Sequence, residues 1–260
     1  MATHPLFDVS GRTALVTGSS RGIGHALATG LLEAGCIVVL NGRDSTALDE
    51  ARARLEPVAA RGGGAVHAVA FDNTDPAAVV AGVERAEQLA GPLDIAVCNT
   101  GTQHRSPILD FADADWFRLL ETNLTSTFLV AREVGRRMVP RGAGKIVTVC
   151  SLQSEVTRPG IAPYAATKGA LKMLTKGMCA DLAGYGIQVN GLGPGYIETE
   201  LTAALVADPA FSAWVCGRTP AGRWGQVGDL VGTLLFLVSP AADFVNGQVV
   251  YVDGGMLTVL

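Results

Sequence analysis

Tyr164 and Lys168 stand four residues apart in Tyr164-Ala165-Ala166-Thr167-Lys168. On a helix this spacing puts both side chains on one face, about one turn apart. A free phenol, with a pKa of about 10, is a poor base near neutrality, but a neighbouring ammonium favours the phenolate. The pair is therefore a usable proton donor or acceptor. Ser151 precedes Tyr164 by 13 residues. At the end of a strand its hydroxyl would bond the same substrate oxygen and stabilise the charge that develops there during hydride transfer. Asn123, inside a helical stretch, is expected to hold a water that relays protons to Lys168.

A second cluster is Thr17-Gly18-Ser19-Ser20-Arg21-Gly22-Ile23-Gly24. Glycines let the backbone turn tightly and bring a phosphate against main-chain N–H groups at the start of a helix. Their spacing is G-x-x-x-G-x-G, so the reading leans on position, directly after a strand and before a helix. Asn41-Gly42-Arg43 closes the next strand, where an acidic residue would hold a ribose 2′-hydroxyl. A guanidinium there suits a 2′-phosphate, and Arg21 is placed to reach the same group. These residues predict NADP(H), with NAD(H) as the weaker alternative.

Both clusters need elements to hold them. β-Branched runs at Thr13–Thr17, Cys36–Asn41, Val66–Phe71, Asp94–Cys98, Lys145–Cys150, Gln188–Leu192 and Gln248–Val252 predict seven strands. Their nearly continuous apolar character suits strands covered on both faces, hence a parallel sheet. Helical patterns at about 22–34, 45–60, 76–90, 113–138, 163–183 and 227–238 alternate with them, which predicts a doubly wound α/β fold with helices on both faces. One domain over residues 1–260 is the economical division. An excursion at about 196–224 departs from the alternation and starts just after the sixth strand, at the end of the sheet where ligands bind.

Composition narrows the chemistry. The chain has 260 residues, 48% of them hydrophobic and 17% charged, with a net charge of −4. There is no basic excess for nucleic acid. The longest stretch free of Asp, Glu, Lys and Arg, Leu182–Ile197, is too short for a bilayer, and no secretory signal is visible. Five cysteines without C-x-x-C spacing read as reduced cytoplasmic thiols. Four scattered histidines give no metal site.

Taken in order, Thr17-Gly18-x-x-x-Gly22-x-Gly24, Asn99-x-Gly101, Asn123, Ser151, Tyr164-x-x-x-Lys168 and Pro194-Gly195 resemble the short-chain dehydrogenase/reductase family over essentially the whole chain. The resemblance implies a Rossmann-like dehydrogenase in which Tyr164 exchanges a proton with the substrate oxygen. Lys168 would lower the phenol's pKa and hold the nicotinamide ribose, Ser151 would position the substrate, and Asn123 would be the relay residue. The implied cofactor set is Gly18, Ser20, Arg21, Gly22, Ile23, Gly24 and Arg43, with Asp72 near the adenine and Asn99 and Gly101 along the cofactor. Tyr164 and Lys168 complete it, with Pro194, Gly195, Ile197 and Thr199 beside the nicotinamide. Family members commonly pair through the helices at 113–138 and 163–183 into tetramers. One departure is Cys98-Asn99-Thr100-Gly101, where the family usually has Asn-Asn-Ala-Gly. Loss of the first Asn removes a tie between strands, and Thr100 is expected to crowd the cofactor.

Ser151-Leu152-Gln153-Ser154-Glu155, the segment from Arg158 to Tyr164 and the segment from Arg218 to Gly225 are more particular. With Asn41-Gly42-Arg43, they resemble family members acting on the 5-keto group of a sugar acid. Such a substrate is an anion with a row of hydroxyls. Arg105 is the expected cation, with Arg158 or Arg223 next in line, and Gln153 and Glu155 are the expected polyol contacts. The alternatives are a 3-oxoacyl thioester or generic ketone reductase with the same catalytic residues, or a catalytically silent NADP-sensing regulator. A thioester carrier would need basic docking patches that this chain does not obviously offer, and a pure sensor has no chemical need for a paired phenol and ammonium.

Overall fold

The computed structural model describes residues 4–259. In chain order the elements are β1 (Thr13–Val16), α1 (Gly22–Glu33), β2 (Ile37–Gly42), α2 (Ser45–Gly62), β3 (Ala65–Ala70), α3 (Pro76–Ala90) and β4 (Ile95–Cys98). Then come α4 (Asp113–Leu120), α5 (Ser126–Met138), β5 (Gly144–Val149), α6 (Ala162–Leu182), β6 (Ile187–Pro194), α7 (Ala203–Val206), α8 (Pro209–Arg218), α9 (Val231–Val238) and β7 (Val249–Val252). The seven strands form one parallel sheet in the order β3-β2-β1-β4-β5-β6-β7. The order reverses between β1 and β4, and the crevice outside the carboxyl ends at such a reversal is where doubly wound sheets bind ligands.

Alternate strand residues face opposite layers, and both layers are dry. Ala14 and Val16 of β1 pack with Leu27 and Leu31 of α1, Leu55 of α2 and Leu234 of α9. Leu15, one residue out of phase, packs on the other face with Val83 of α3, Val134 of α5 and Ile146 of β5. A third, smaller core joins Leu152, Val215, Trp224 and Met256, with Tyr196, Leu205 and Phe211 against it. That cluster belongs to the excursion after β6, which folds as α7 and α8 beside the sheet's carboxyl edge.

Helix starts follow the sequence. Asp44, Asp75 and Asp208 accept backbone N–H bonds at the N-termini of α2, α3 and α8, and proline opens the latter two. α1 is different: Arg21 at its N-cap makes no side-chain capping bond, and the helix has no acid in its first turn. Its N-terminal N–H groups are left to an anion.

Two spans differ from the sequence pattern. The 113–138 helix is interrupted by one π-helical turn, Glu121–Thr125, closed by the Ser126 N–H bonding the Glu121 carbonyl. β6 runs on through Gly193 and Pro194, which pair with Tyr251 and Val252 of β7. Glycine and proline ended the predicted strand early. In the fold, Gly193 is needed because a Cβ there would meet the Tyr251 ring at 2.4 Å.

Candidate active site

β5 ends at Val149 and delivers Ser151 in extended backbone, capping a short 3₁₀ turn. The Ser151 Oγ accepts from the Gln153 N–H at 3.2 Å, and its hydroxyl donates to Gln153 Oε1. α6 begins at Ala162, so Tyr164 sits in its first turn and Lys168 one turn later. Lys168 is 4% exposed, and its Nζ donates to the Val149 carbonyl at 2.7 Å. It lies 5.8 Å from the centroid of the Tyr164 ring. Burial lowers the lysine from its ordinary 10.5 to about 8.

Burial pushes Tyr164 above its ordinary value, and the Ser151 hydroxyl and the Arg105 guanidinium act against that rise. Lys168, expected to pull the phenol down, donates to the Val149 carbonyl while its Nζ stays 5.8 Å from the Tyr164 ring centroid, and Ser151 and Arg105 also favour the phenolate.

Asn123 occupies the π turn and is fully buried. Its Oδ1 accepts from the Thr102 N–H at 2.7 Å, while Nδ2 donates to the Thr102 carbonyl at 2.9 Å and to Thr167 Oγ1 at 3.2 Å. Its side chain clamps the loop after β4, and Oδ1 keeps a second lone pair for a further donor. A Cβ on Gly101 would stand 3.5 Å from Asn123 Oδ1 and 3.9 Å from Lys168 Nζ, so the three positions converge.

At the nucleotide end, Gly18 and Gly22 have φ of +60° and +57°, a region that favours glycine. A Cβ on Gly24 would come within 2.4 Å of the Gly18 carbonyl oxygen. Asn99 Nδ2 donates to the carbonyls of Thr17 and Gly18, both at 3.0 Å, tying the end of β4 to the glycine loop. Thr17 Oγ1 in turn accepts from the N–H groups of Asn99 and Thr100. The tie feared lost with the first Asn is supplied by these bonds, and Cys98 is simply a buried thiol pushed up to about 12 by burial. Thr100, expected to crowd the cofactor, has its hydroxyl engaged: Asn73 Nδ2 donates to Thr100 Oγ1 at 2.7 Å and to Asn41 Oδ1 at 2.8 Å. Sequence reading missed Asn73, which lines the cleft. Asn73-Thr74 directly after Asp72 at the end of β3 was the available signal.

A cleft of about 690 Å³ joins the two ends. Gly18, Ser20, Arg21, Gly22, Ile23, Arg43, Asp72, Asn99 and Gly101 line it, as do Arg105, Ser151, Gln153, Tyr164, Lys168, Pro194, Gly195, Ile197 and Thr199. Gly24 and Asn123 support it from beneath. The glycine cradle, the open N-terminus of α1 and the absence of an acid at the end of β2 together fit a dinucleotide bearing a 2′-phosphate. Arg43 lies 3.7 Å from Asp72, and Arg21 lies 3.1 Å from Glu200 of the excursion. Burial would raise the Asp72 carboxyl, but hydrogen bonds from Thr74 and the charge of Arg43 hold it below the usual range.

Two expected substrate residues lie elsewhere. Glu155 does not line the cleft: Lys172 Nζ and the Tyr251 hydroxyl both donate to Glu155 Oε1. Arg223 forks onto the Asp229 carboxylate at 2.7 and 3.1 Å. Arg105 is the opposite case. It has no hydrogen bond or ion pair among the described residues, and it stands close enough to Tyr164 to favour the phenolate.

A family model described as enoyl-(acyl carrier protein) reductase matches residues 18–257. The chain is 54% identical over 259 residues to a gluconate 5-dehydrogenase of Gluconobacter oxydans, covering 99% of this chain and 100% of that one. It is 48% identical over 257 residues to a 5-keto-D-gluconate 5-reductase of Escherichia coli, with 99% and 100% covered. Among solved structures, a gluconate 5-dehydrogenase from Burkholderia cenocepacia in complex with NADP and tartrate superposes with a TM-score of 0.93 at 53% identity, covering 98% of this chain and 99% of that one. Together with the seven-stranded parallel sheet and the Ser151, Tyr164 and Lys168 cluster in its crevice, these matches show that the chain belongs to the short-chain dehydrogenase/reductase family.

Proposed function

We propose that the protein is an NADP(H)-dependent oxidoreductase that moves hydride reversibly between NADPH and the ketone of a sugar acid, interconverting 5-keto-D-gluconate and D-gluconate. The observation that carries the substrate class is Arg105, a guanidinium without a protein partner among the described residues, lining the cleft beside the phenol. Relatives named for gluconate chemistry support the same class, and the Burkholderia cenocepacia neighbour holds NADP together with tartrate, a hydroxy acid.

The dinucleotide, when bound, supplies the hydride to carbon 5. In this reading Gly18, Ser20, Gly22 and Ile23 hold its phosphates, with Gly24 shaping the turn from beneath, and Arg21 and Arg43 take the 2′-phosphate. Asp72 flanks the adenine, Asn99 and Gly101 lie along the dinucleotide, and Pro194, Gly195, Ile197 and Thr199 shape the nicotinamide end. Tyr164 donates its hydroxyl proton to the ketone oxygen as the carbonyl is reduced and takes it back in the oxidative direction. Ser151 donates a hydrogen bond to that oxygen and stabilises its developing negative charge, for which its proton must leave Gln153 Oε1. Lys168 holds the ribose and keeps positive charge near the phenol, Arg105 pairs with the carboxylate, and Gln153 meets a polyol hydroxyl.

We read the chain as one catalytic domain whose excursion at about 196–224 borders the substrate. A cytoplasmic homo-tetramer is part of the proposal. Five free thiols suit a reducing compartment, and no described helix is long and apolar enough to cross a membrane. Phe117, Phe128 and Met173 on α4, α5 and α6 are exposed apolar side chains that a partner subunit would cover.

Arg105→Ala tests the substrate class. A hydrogen bond to a charged group is worth about 1.5–3 kcal/mol. The variant is therefore expected to lose about ten- to a hundred-fold in kcat/KM for 5-ketogluconate while an uncharged ketose of similar length barely changes. Equal losses on both substrates would make Arg105 a loop-shaping residue and remove the anion argument.

A further inference from the structure

Four arginines line the cleft, and they divide into two pairs. At the nucleotide end, Arg21 and Arg43 each stand within ion-pair distance of a carboxylate, Glu200 and Asp72. At the substrate end, Arg105 and Arg158 have no carboxylate partner among the described residues. Arg158 is nevertheless fixed in place. Its Nε donates to the Tyr196 hydroxyl at 3.2 Å and its Nη1 to the Pro159 carbonyl at 3.4 Å, and its guanidinium carbon lies 5.1 Å from the centroid of the Phe211 ring. Nη2 has no protein acceptor among the described residues. Burial, and then the charge of Arg158, lower the proton affinity of Arg105, so the two guanidiniums feel one another. Both line the one cleft, and an anion between two like charges relieves their repulsion.

We propose that Arg158 is a specificity-determining residue which, with Arg105, forms a two-guanidinium seat for the substrate carboxylate. The inference rests on the sugar-acid reading and deepens it. A carboxylate has about four lone-pair sites and can accept from both arginines at once. Because Arg158 is anchored on Tyr196 and Phe211, acid recognition extends into the excursion. The Tyr196 ring packs edge-on against Phe211, Trp214 and Trp224 at centroid distances of 5.6–5.9 Å, so α8 and the Tyr196 turn are one packed unit. An acid on Arg158 therefore stabilises that unit over the cleft, which a neutral ketose does not.

The test titrates sodium gluconate or D-glucitol into enzyme already holding NADPH. Neither ternary complex can react, since ligand and dinucleotide are both in the reduced form. Arg158→Met is expected to weaken gluconate at least about ten-fold while D-glucitol and NADPH stay within about two-fold. Arg158→Lys, which keeps the charge but not the planar fork, is expected to fall between variant and wild type. Gluconate affinity unchanged in Arg158→Met, or weakened in step with D-glucitol, overturns the seat and leaves Arg158 as a packing residue while the sugar-acid reading stands. Wild-type enzyme that does not prefer gluconate to D-glucitol overturns the sugar-acid reading and the seat together.

Discussion

At Lys168 the ammonium is held in a dry site with one hydrogen bond among the described residues, and burial brings its pKa from 10.5 to about 8. Unfolding returns it to water and to its ordinary value. Between pH 8 and 10.5 the unfolded chain thus keeps a proton that the native protein has released, so this residue makes stability rise with pH across that window. Below pH 8 its full destabilising effect is present. Chemical unfolding of wild type and Lys168→Met at a series of pH values is expected to show the wild type gaining on the variant from pH 8 to 10.5, by an amount on the order of 3 kcal/mol. Parallel profiles would mean that the lysine is not held as a buried charge. A second expectation concerns Arg43, which is exposed and only 3.7 Å from Asp72. Arg43→Ala should raise the Michaelis constant for NADPH about ten-fold or more and leave that for NADH nearly unchanged; equal effects would remove the 2′-phosphate contact. The types and local spacing of these residues were legible in the chain. Their partners were not, because Arg21 meets Glu200 across 179 residues and no local pattern encodes so distant a contact.

Asn123 shows what an element adds to a residue. The continuous periodicity of 113–138 predicted one helix, yet the π turn at Glu121–Thr125 sets Asn123 against both backbone groups of Thr102. Neither glycine nor proline marks that turn, so nothing local distinguished it from α-helix. Strands were easier to read, since their β-branched runs are short and covered on both faces, and the Asp caps of α2 and α3 stand at the helix starts. Asn123→Ala would remove the partner of the half-buried Thr102 N–H and carbonyl, at a cost of about 1 kcal/mol for each hydrogen bond lost. Its urea midpoint should fall. The KM for 5-ketogluconate should rise as well, because Thr102 leads directly into the loop carrying Gln103 and Arg105. A fall in stability with unchanged KM would separate the π turn from substrate binding.

For the whole molecule, the sheet order places the reversal between β1 and β4, and the glycine loop and Ser151 both lie at carboxyl ends of strands bordering that crevice. This arrangement was legible because alternating strands and helices admit few topologies. Which ketone enters was less so. Glu155 looked like a substrate contact until α6 and β7 supplied Lys172 and Tyr251 to hold it, whereas Arg105 and Arg158 are left facing the cleft by the elements around them. The most direct test of the central claim is NADPH oxidation followed spectrophotometrically with 5-keto-D-gluconate, 2-ketogluconate, an acetoacetyl thioester and a simple ketone, for wild type and Tyr164→Phe. The proposed function predicts the highest kcat/KM on 5-ketogluconate, with turnover abolished in Tyr164→Phe while its NADPH affinity stays within a few-fold. Preference for the acetoacetyl thioester, or substantial turnover by Tyr164→Phe, would contradict it.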